Sequence, residues 1–233
     1  MCGRSSLTKT EKQLEERFGA SFYSEDLERY NPLPNYNVAP SHILPVILNS
    51  DTQHFNALRW GFIPFWAKDI KISYKMINAR IETILEKSTF KNAVKNKRCL
   101  IPSDGFYEWK KTAKGKQPYR IIMKDEALFS YAGLWSKWTS PEGHEIKSFT
   151  IITQTPNQKI SEIHDRMPAM LLPEQESLWL DESIPPEDAV GIISPVPDDL
   201  IEVYPVSDRV NKVSNNDKTL IERDSGQQGS LFD

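Results

Sequence analysis

Short apolar runs of strand length recur along this chain and limit its possible folds more than any other feature. They are His42–Leu48, Ala57–Phe62, Cys99–Ile101, Tyr119–Met123, Leu128–Leu134 and Phe149–Thr153. Runs of this length, bounded by polar and turn-forming residues, indicate β-strands. They do not alternate regularly with helical segments, which disfavours a doubly wound parallel sheet. The pattern therefore predicts an α+β fold.

Three segments have helical patterns. Thr8 is predicted to cap a first helix, which Gly19 ends. Two further helices are predicted over Glu82–Val94 and Pro173–Leu180, with Leu178 of the last one facing the core. These few helices would flank the strands.

The chain has 233 residues and no linker rich in proline, glycine or serine that would divide it. We therefore predict one domain over residues 2–214. Residues 31–40 contain three prolines and are not expected to form regular structure. The polar stretch 215–233 is predicted to be a flexible tail.

The net charge of −3 conceals a strong asymmetry along the chain. Residues 67–124 hold 15 basic and 5 acidic side chains, whereas residues 174–233 hold 4 basic and 14 acidic ones. The basic segment also contains Tyr74, Tyr107 and Trp109, and Trp66 directly precedes it. Basic groups interleaved with aromatic rings are typical of single-strand nucleic-acid binding.

Several other classes are disfavoured by what the sequence lacks. No run approaches the roughly 18 apolar residues of a membrane span, and the first residues do not resemble a signal peptide. Two cysteines, Cys2 and Cys99, make no disulfide framework, so a reducing cytoplasm is the expected setting, with Cys99 in the core. The spacings typical of metal sites and nucleotide-binding loops are absent, so we expect no metal and no cofactor.

Cys2 becomes chemically distinctive if Met1 is removed. It would then carry a free α-amine and a thiol on one residue, with ordinary pKa values near 8 and 8.5. A 1,2-aminothiol reacts with one aldehyde twice, first through the amine as an imine and then through the sulfur as a thiazolidine ring. The alternative is that the cysteine at this position has no role.

Two further candidates lie in the middle of the chain. Glu108 stands among the aromatic residues of the segment 106–109, where apolar surroundings would raise its pKa and suit it to acid/base work. Alternatively, it is an exposed glutamate at a strand end. His164, between Ile163 and a charged pair, is either a general acid/base or a hydrogen-bonded structural histidine.

Seven blocks of this sequence, taken together, resemble the SRAP (SOS response-associated peptidase) family. They are MCGR at the start, YNVAPS (36–41), WGFIPFW (60–66), NARIET (78–83), CLIPSDGFYEW (99–109), AGLW (132–135) and IHDRMP (163–168). The resemblance covers about residues 2–213. It implies a single SRAP-type domain, with a distorted β-barrel or two-sheet core and flanking helices.

The resemblance also implies an activity. Proteins of this family recognise abasic sites in single-stranded DNA and protect them as a covalent thiazolidine crosslink, which is expected to be reversible. By similarity, Cys2 is the nucleophile after Met1 removal and Asn78 holds the amine and the sugar oxygen. Glu108 exchanges protons during imine formation, and His164 acts as general acid/base on the sugar.

The expected DNA contacts follow from the same resemblance. Three arginines would bind phosphates and five other residues would line the cleft; the arginines are Arg4, Arg80 and Arg166, and the others are Asn37, Pro40, Trp66, Trp109 and Thr153. Binding is expected to be independent of sequence, because phosphate contacts carry no sequence information. A monomer is expected.

Two rival functions remain open. The first is an N-terminal-cysteine peptidase or autopeptidase, in which Cys2 attacks a peptide carbonyl. The second is a non-covalent reader of modified DNA, in which Cys2 has no role.

The end of the chain carries one more candidate motif. Gln228, Leu231 and Phe232 form a Q-x-x-L-F pattern like the peptides that dock on the replication sliding clamp, with two apolar anchors on a polar tail. The alternative is an incidental apolar terminus.

Overall fold

A computed structural model of the protein describes residues 2–113 and 115–224. The strands are β1 (Ser5–Leu7), β2 (Ser21–Phe22), β3 (Asn35–Val38), β4 (Ile43–Leu48), β5 (Asp51–Trp60), β6 (Asn78–Arg80), β7 (Arg98–Ser103), β8 (Gly105–Thr112), β9 (Gly115–Met123), β10 (Phe129–Thr139), β11 (Glu145–Gln154), β12 (Met167–Pro168), β13 (Met170–Leu171) and β14 (Ile201–Pro205). The α-helices are α1 (Glu11–Phe18), α2 (Ser88–Asn96), α3 (Gln158–Ser161), α4 (Pro173–Leu180) and α5 (Pro186–Gly191). Short 3-10 helices include Ile81–Thr83, Asp208–Asn211 and Lys218–Ile221.

Five strands close into a barrel. β7 pairs with β4 and β10, β10 with β11, and β4 with β5. A parallel pairing of β5 with β11 completes the ring, and short β6 and β12 extend the sheet beside β11. This architecture confirms the predicted α+β fold with a distorted barrel.

A second sheet of five strands has the order β14-β9-β8-β1-β3. Its inner face, through Phe106 and Ile121, joins the main hydrophobic core of the barrel. Its outer face carries a smaller cluster that includes Tyr107 and Leu220. The first strand of the chain is therefore an interior strand of this sheet, which fixes where residue 2 lies.

All six apolar runs named from the sequence overlap strands of the structure. The runs correspond to β4, β5, β7, β9, β10 and β11. Cys99 is fully buried, as predicted. The strands extend beyond several of the runs, because polar residues such as Thr139 and Glu145 continue the β10–β11 ladder.

All three predicted helices are present, although not in every detail as predicted, and α3 and α5 were not predicted. Thr10, rather than Thr8, caps α1 in a capping box with Gln13, whereas Thr8 donates its backbone N–H to Asp104. The second helix begins at Ser88, after a 3-10 turn, instead of at Glu82. Helix α4 has the predicted bounds, but its Leu178 is 45% exposed and its neighbour Trp179 is buried instead.

Two regions expected to be irregular are ordered. Strand β3 fits between Pro34 and Pro40 and pairs with β1, because neither proline interrupts its hydrogen bonds. Beyond Asn215, residues 218–221 form a 3-10 helix with Leu220 fully buried, so the prediction of a flexible tail from residue 215 is wrong for these residues. The clamp-docking motif at Gln228, Leu231 and Phe232 lies outside the described residues.

Within the described part of the chain, no helix is long and apolar enough to cross a membrane.

Candidate active site

Cys2 lies just before β1 and its side chain is fully buried, with 0% exposure. The pairing of β1 with β8 continues back towards it, since the N–H of Tyr107 donates to the carbonyl of Arg4 at 3.0 Å. This register brings residue 2 beside Glu108. Burial raises the pKa of the Cys2 thiol far above its ordinary range, and the charge of Glu108 adds to the effect. The thiol is therefore held neutral.

Asn78 fixes the backbone of Cys2 from the barrel side. Strand β6 runs parallel to β11, and from its first position the Asn78 Nδ2 donates to the Cys2 carbonyl at 2.8 Å. The Asn78 Oδ1 is buried and accepts no hydrogen bond within the described part of the chain. A buried amide oxygen normally finds a donor, so this atom is suited to receive one from a substrate.

Glu108 is the buried carboxyl of the site, with 2% exposure. Burial raises its pKa from near 4.5 to about 7, and the charge of Asp165 acts in the same direction. A carboxyl with a pKa near neutrality exchanges protons readily in either direction. The expectation that apolar surroundings raise the pKa of Glu108 is confirmed.

His164 faces Glu108 across the site, with its Nε2 3.9 Å from the carboxylate Oε2. Its Nδ1 accepts the backbone N–H of Arg166 at 3.0 Å, so the neutral ring carries its proton on Nε2. The exposed carboxylate of Asp165 is also 3.0 Å from Nδ1, but solvent screens this contact. Burial lowers the pKa of His164, which keeps the ring neutral at pH 7.

Arg4, Asn37 and Trp109 form one wall near Cys2. Nη1 of Arg4 donates to Oδ1 of Asn37 at 2.7 Å, and the Arg4 guanidinium lies over the Trp109 ring at 5.9 Å. The fully buried Asn37 amide donates to three carbonyls of the segment 210–215. Asn37 thus holds the wall together, and a contact with DNA stays a prediction.

A second group lies on β6, on β11 and directly before β12, and consists of Arg80, Thr153 and Arg166. The guanidinium of Arg166 donates to the Thr153 carbonyl at 2.6 Å and makes a bidentate pair with Glu82 at 2.6 and 3.0 Å. The charge of Arg80 also acts on Glu82. Glu82 was not predicted as a partner of Arg166, yet its carboxylate already binds both terminal nitrogens of the Arg166 guanidinium.

Trp66 and Pro40 lie further out. Trp66 is 53% exposed in the loop after β5, next to the more exposed Phe65. Phe62, at the start of that loop, donates its N–H to the Met76 carbonyl, two residues from Asn78. Pro40 is half-buried. Their roles in DNA binding stay predictions.

A cavity of about 530 Å³ opens beside the site. Its lining includes Glu108, Trp109 and His164, and also three residues that the sequence analysis missed, Lys111, Lys116 and Asn211. The lysines belong to a dense basic run, KKTAKGK, which could have been noticed. Asn211, which accepts the Trp109 Nε1 hydrogen bond at 2.7 Å, comes from a distant segment with no signal in the sequence.

No group of three or more histidine, cysteine or acidic side chains in residues 2–113 and 115–224 could hold a metal ion.

The fold and site together define a single-domain α+β protein in which a cysteine at residue 2 is buried beside a carboxyl group and an imidazole. The family model described as SOS response associated peptidase (SRAP) matches residues 1–213. The chain belongs to the SRAP family.

Relatives in bacteria and animals support this assignment. The chain is 44% identical over 225 residues to the abasic site processing protein YoqW of Bacillus subtilis, covering 95% of this chain and 99% of the relative. It is 32% identical to the abasic site processing protein HMCES of Xenopus tropicalis, covering 93% of this chain and 76% of the relative. A crystal structure of a Bacteroides thetaiotaomicron protein superposes with a TM-score of 0.89 at 30% identity, covering 96% of this chain and all of that one.

Proposed function

We propose that this protein recognises abasic sites in single-stranded DNA and forms a reversible thiazolidine crosslink to them through Cys2 once Met1 has been removed. The names of its relatives YoqW and HMCES support abasic DNA as the target. The observation that carries the chemistry is the burial of Cys2 against Glu108, a carboxyl with a pKa of about 7, at the edge of an open cavity.

The raised pKa of the thiol supports an order of events. A neutral thiol is a weak nucleophile, so the α-amine of Cys2 attacks the sugar aldehyde first and water leaves as the imine forms. The sulfur then adds to the imine carbon and its proton passes to the new ring nitrogen. Aldehyde plus aminothiol thus gives a thiazolidine and one water.

The neighbouring groups suit these proton transfers. Glu108 accepts a proton from the α-ammonium of Cys2, which frees the amine to attack, and returns the proton to the departing oxygen; both transfers require a pKa near neutrality. His164, which is neutral and lines the same cavity, assists opening of the sugar ring. The Asn78 Oδ1 accepts a hydrogen bond from the amine or a sugar hydroxyl.

The two rival functions are less well supported. A peptidase that attacks carbonyls through sulfur needs a thiolate, whereas burial and Glu108 both raise the pKa of the Cys2 thiol. A non-covalent reader needs no acid/base pair beside residue 2. Each rival also makes a distinct prediction: release of a peptide product, or unchanged function without Cys2.

The test uses the full chain and a single-stranded oligonucleotide with one natural abasic site. We expect wild type to form a heat-stable adduct, and Cys2→Ala and Cys2→Ser to form none. With borohydride present, both variants should give a trapped adduct, because the amine still forms an imine that reduction makes permanent. Intact mass should show that Met1 is absent from the reactive chain.

Cys99→Ala is the matched control, since it removes the other thiol from the core of the barrel. It should crosslink like wild type. Heat-stable crosslinking by Cys2→Ala without reductant would falsify the proposed nucleophile. Retention of Met1 on a chain that crosslinks fully would exclude the α-amine of Cys2.

A further inference from the structure

The hairpin of β8 and β9 carries two lysines in an arrangement that fold stability does not explain. Lys111 and Lys116 stand directly opposite each other in the antiparallel register, with Cα atoms about 5 Å apart. Like charges in this position destabilise a sheet. In the part of the chain that the structure describes, neither lysine pairs with a carboxylate.

The pair lies where the reaction would take place. Both lysines line the same cavity of about 530 Å³ as Glu108 and His164. The pairing of β1 with β8 includes Gly105 and Phe106, so the end of the β8–β9 hairpin extends beyond β1. Two ammonium groups therefore border the space into which a sugar must enter to reach Cys2.

We propose that Lys111 and Lys116 form a phosphate-binding pair that holds the backbone phosphodiester next to the reacting sugar. This inference rests on the proposed function and assigns a contact that the arginines do not supply. Lysine binds phosphate as a point charge, and two such charges on neighbouring strands can share one phosphodiester. The positive charge of Lys111 also acts on His164 and helps keep its ring neutral.

Two of the three predicted arginine contacts, Arg4 and Arg166, differ from the lysines in one respect. Arg4 is bonded to Asn37 and the Val210 carbonyl, and Arg166 is paired bidentately with Glu82. A phosphate would have to compete with these partners. It would meet no such competitor at Lys111 and Lys116, which are exposed on the hairpin. The lysine pair is therefore better placed for a phosphate contact than Arg4 or Arg166.

The test measures the salt dependence of non-covalent binding. The probe is a labelled single-stranded oligonucleotide with one central tetrahydrofuran residue, which has no aldehyde and cannot crosslink. The slope of log K against log salt concentration is negative, and its magnitude falls by about 0.7 for each phosphate that is no longer neutralised on a single strand. Because the two lysines share one phosphodiester, we expect the double variant to lose about 0.7, and Lys111→Gln and Lys116→Gln each to lose part of it.

Lys124→Gln is the matched control, because Lys124 directly follows the far end of β9 and lines a different cavity. It should keep the wild-type slope. A neutral methylphosphonate placed beside the tetrahydrofuran should weaken wild type and leave the double variant unaffected. A double variant with the wild-type slope would overturn the proposal. So would lysine variants that lose affinity for an acidic peptide but keep their affinity for the oligonucleotide.

The failure of this inference can be told apart from failure of the proposed function. Crosslinking of the natural abasic oligonucleotide by wild type is measured in parallel. If wild type forms an adduct but the lysine variants keep the wild-type salt slope, the proposed function stands and phosphate binding by the lysine pair is wrong. If the slope depends on the lysines but no adduct forms, the lysine pair stands and the proposed crosslinking is wrong.

Discussion

Two buried carboxyls, Asp104 and Glu108, lie four residues apart at the start of one hairpin, but their hydrogen-bonding and charged partners differ. Asp104 accepts hydrogen bonds from the Ser6 hydroxyl at 2.6 Å and the Thr8 N–H at 2.8 Å, and it lies 3.5 Å from the Arg120 guanidinium. Glu108 lies 3.9 Å from the Nε2 of the neutral His164 ring.

The difference shows how surroundings decide what a buried acid does. Around Asp104, hydroxyls, an N–H and a cation compensate the charge, so the carboxylate anchors β1 to the hairpin. Around Glu108, desolvation dominates and raises the pKa to about 7. The first carboxyl stabilises the fold and the second is poised to move protons.

The largest effect on stability is expected from Asp104→Ala. This change leaves the Arg120 guanidinium buried beside Tyr204 without its carboxylate. Breaking a buried charge pair from one side costs about 3–5 kcal/mol. Urea unfolding monitored by tryptophan fluorescence measures the loss. If Asp104→Ala unfolds at the wild-type midpoint, the anchoring role of this carboxyl is wrong.

Glu108→Gln should have an opposite and pH-dependent effect. The pKa of Glu108 is raised on folding, so the folded state holds this proton more tightly, and wild-type stability falls as pH rises from about 4.5 to about 7. The difference between the pKa of Glu108 in the unfolded and folded states corresponds to about 3 kcal/mol in the free energy of unfolding. Relative to wild type, Glu108→Gln should therefore gain stability across this range and keep the gain above pH 7, while crosslinking slows.

Chemical unfolding at pH 4.5, 6 and 8 measures the difference between the two chains. A difference that is constant with pH would contradict the raised pKa. If Glu108→Gln crosslinks at the wild-type rate, Glu108 takes no part in the reaction, although its raised pKa would still account for the pH dependence of stability.

Tyr131→Phe should cost less, because its hydroxyl belongs to a network with other partners. The Tyr131 hydroxyl contacts Ser5 Oγ at 2.9 Å and Ser103 Oγ at 3.0 Å, and these two serines also contact each other. Loss of one member of such a network costs about 1 kcal/mol. Thermal unfolding measures it. A loss as large as that of Asp104→Ala would mean that the network acts as one unit.

The smallest stability effect is expected from His164→Gln. The ring is one-quarter exposed and its nearest acidic neighbour, Asp165, is exposed, so the change should lie within about 0.5 kcal/mol. Adduct formation should nevertheless slow, which separates a chemical from a structural role. A large loss of stability would favour the structural interpretation of this histidine.

Features set by neighbouring residues were predictable from the sequence. The aromatic residues around Glu108 gave a buried carboxyl as one of two alternatives, and the structure supports that one. The lengths of the apolar runs predicted strands β4, β5, β7, β9, β10 and β11. The grouping of residues 2, 78, 108 and 164 came from the family resemblance, since nothing local relates them.

Features set by distant residues were not predictable. Thr8 looked like a helix cap because its partner Asp104 is 96 residues away. Leu178 looked buried because the helical pattern does not show which face meets the barrel, and Trp179 and Leu180 take that face instead. The Arg166–Glu82 pair joins segments 84 residues apart, so a predicted phosphate contact gave no sign of its carboxylate partner.

The interior position of β1 has a consequence for synthesis and folding. Ser5 pairs with Phe106, and the groups around Cys2 come from residues 78, 108 and 164. Such separations give a high contact order, which slows folding. A ribosome must therefore translate beyond residue 164 before β1 and the groups around Cys2 can all come together, so the candidate site forms only after most of the chain has been made.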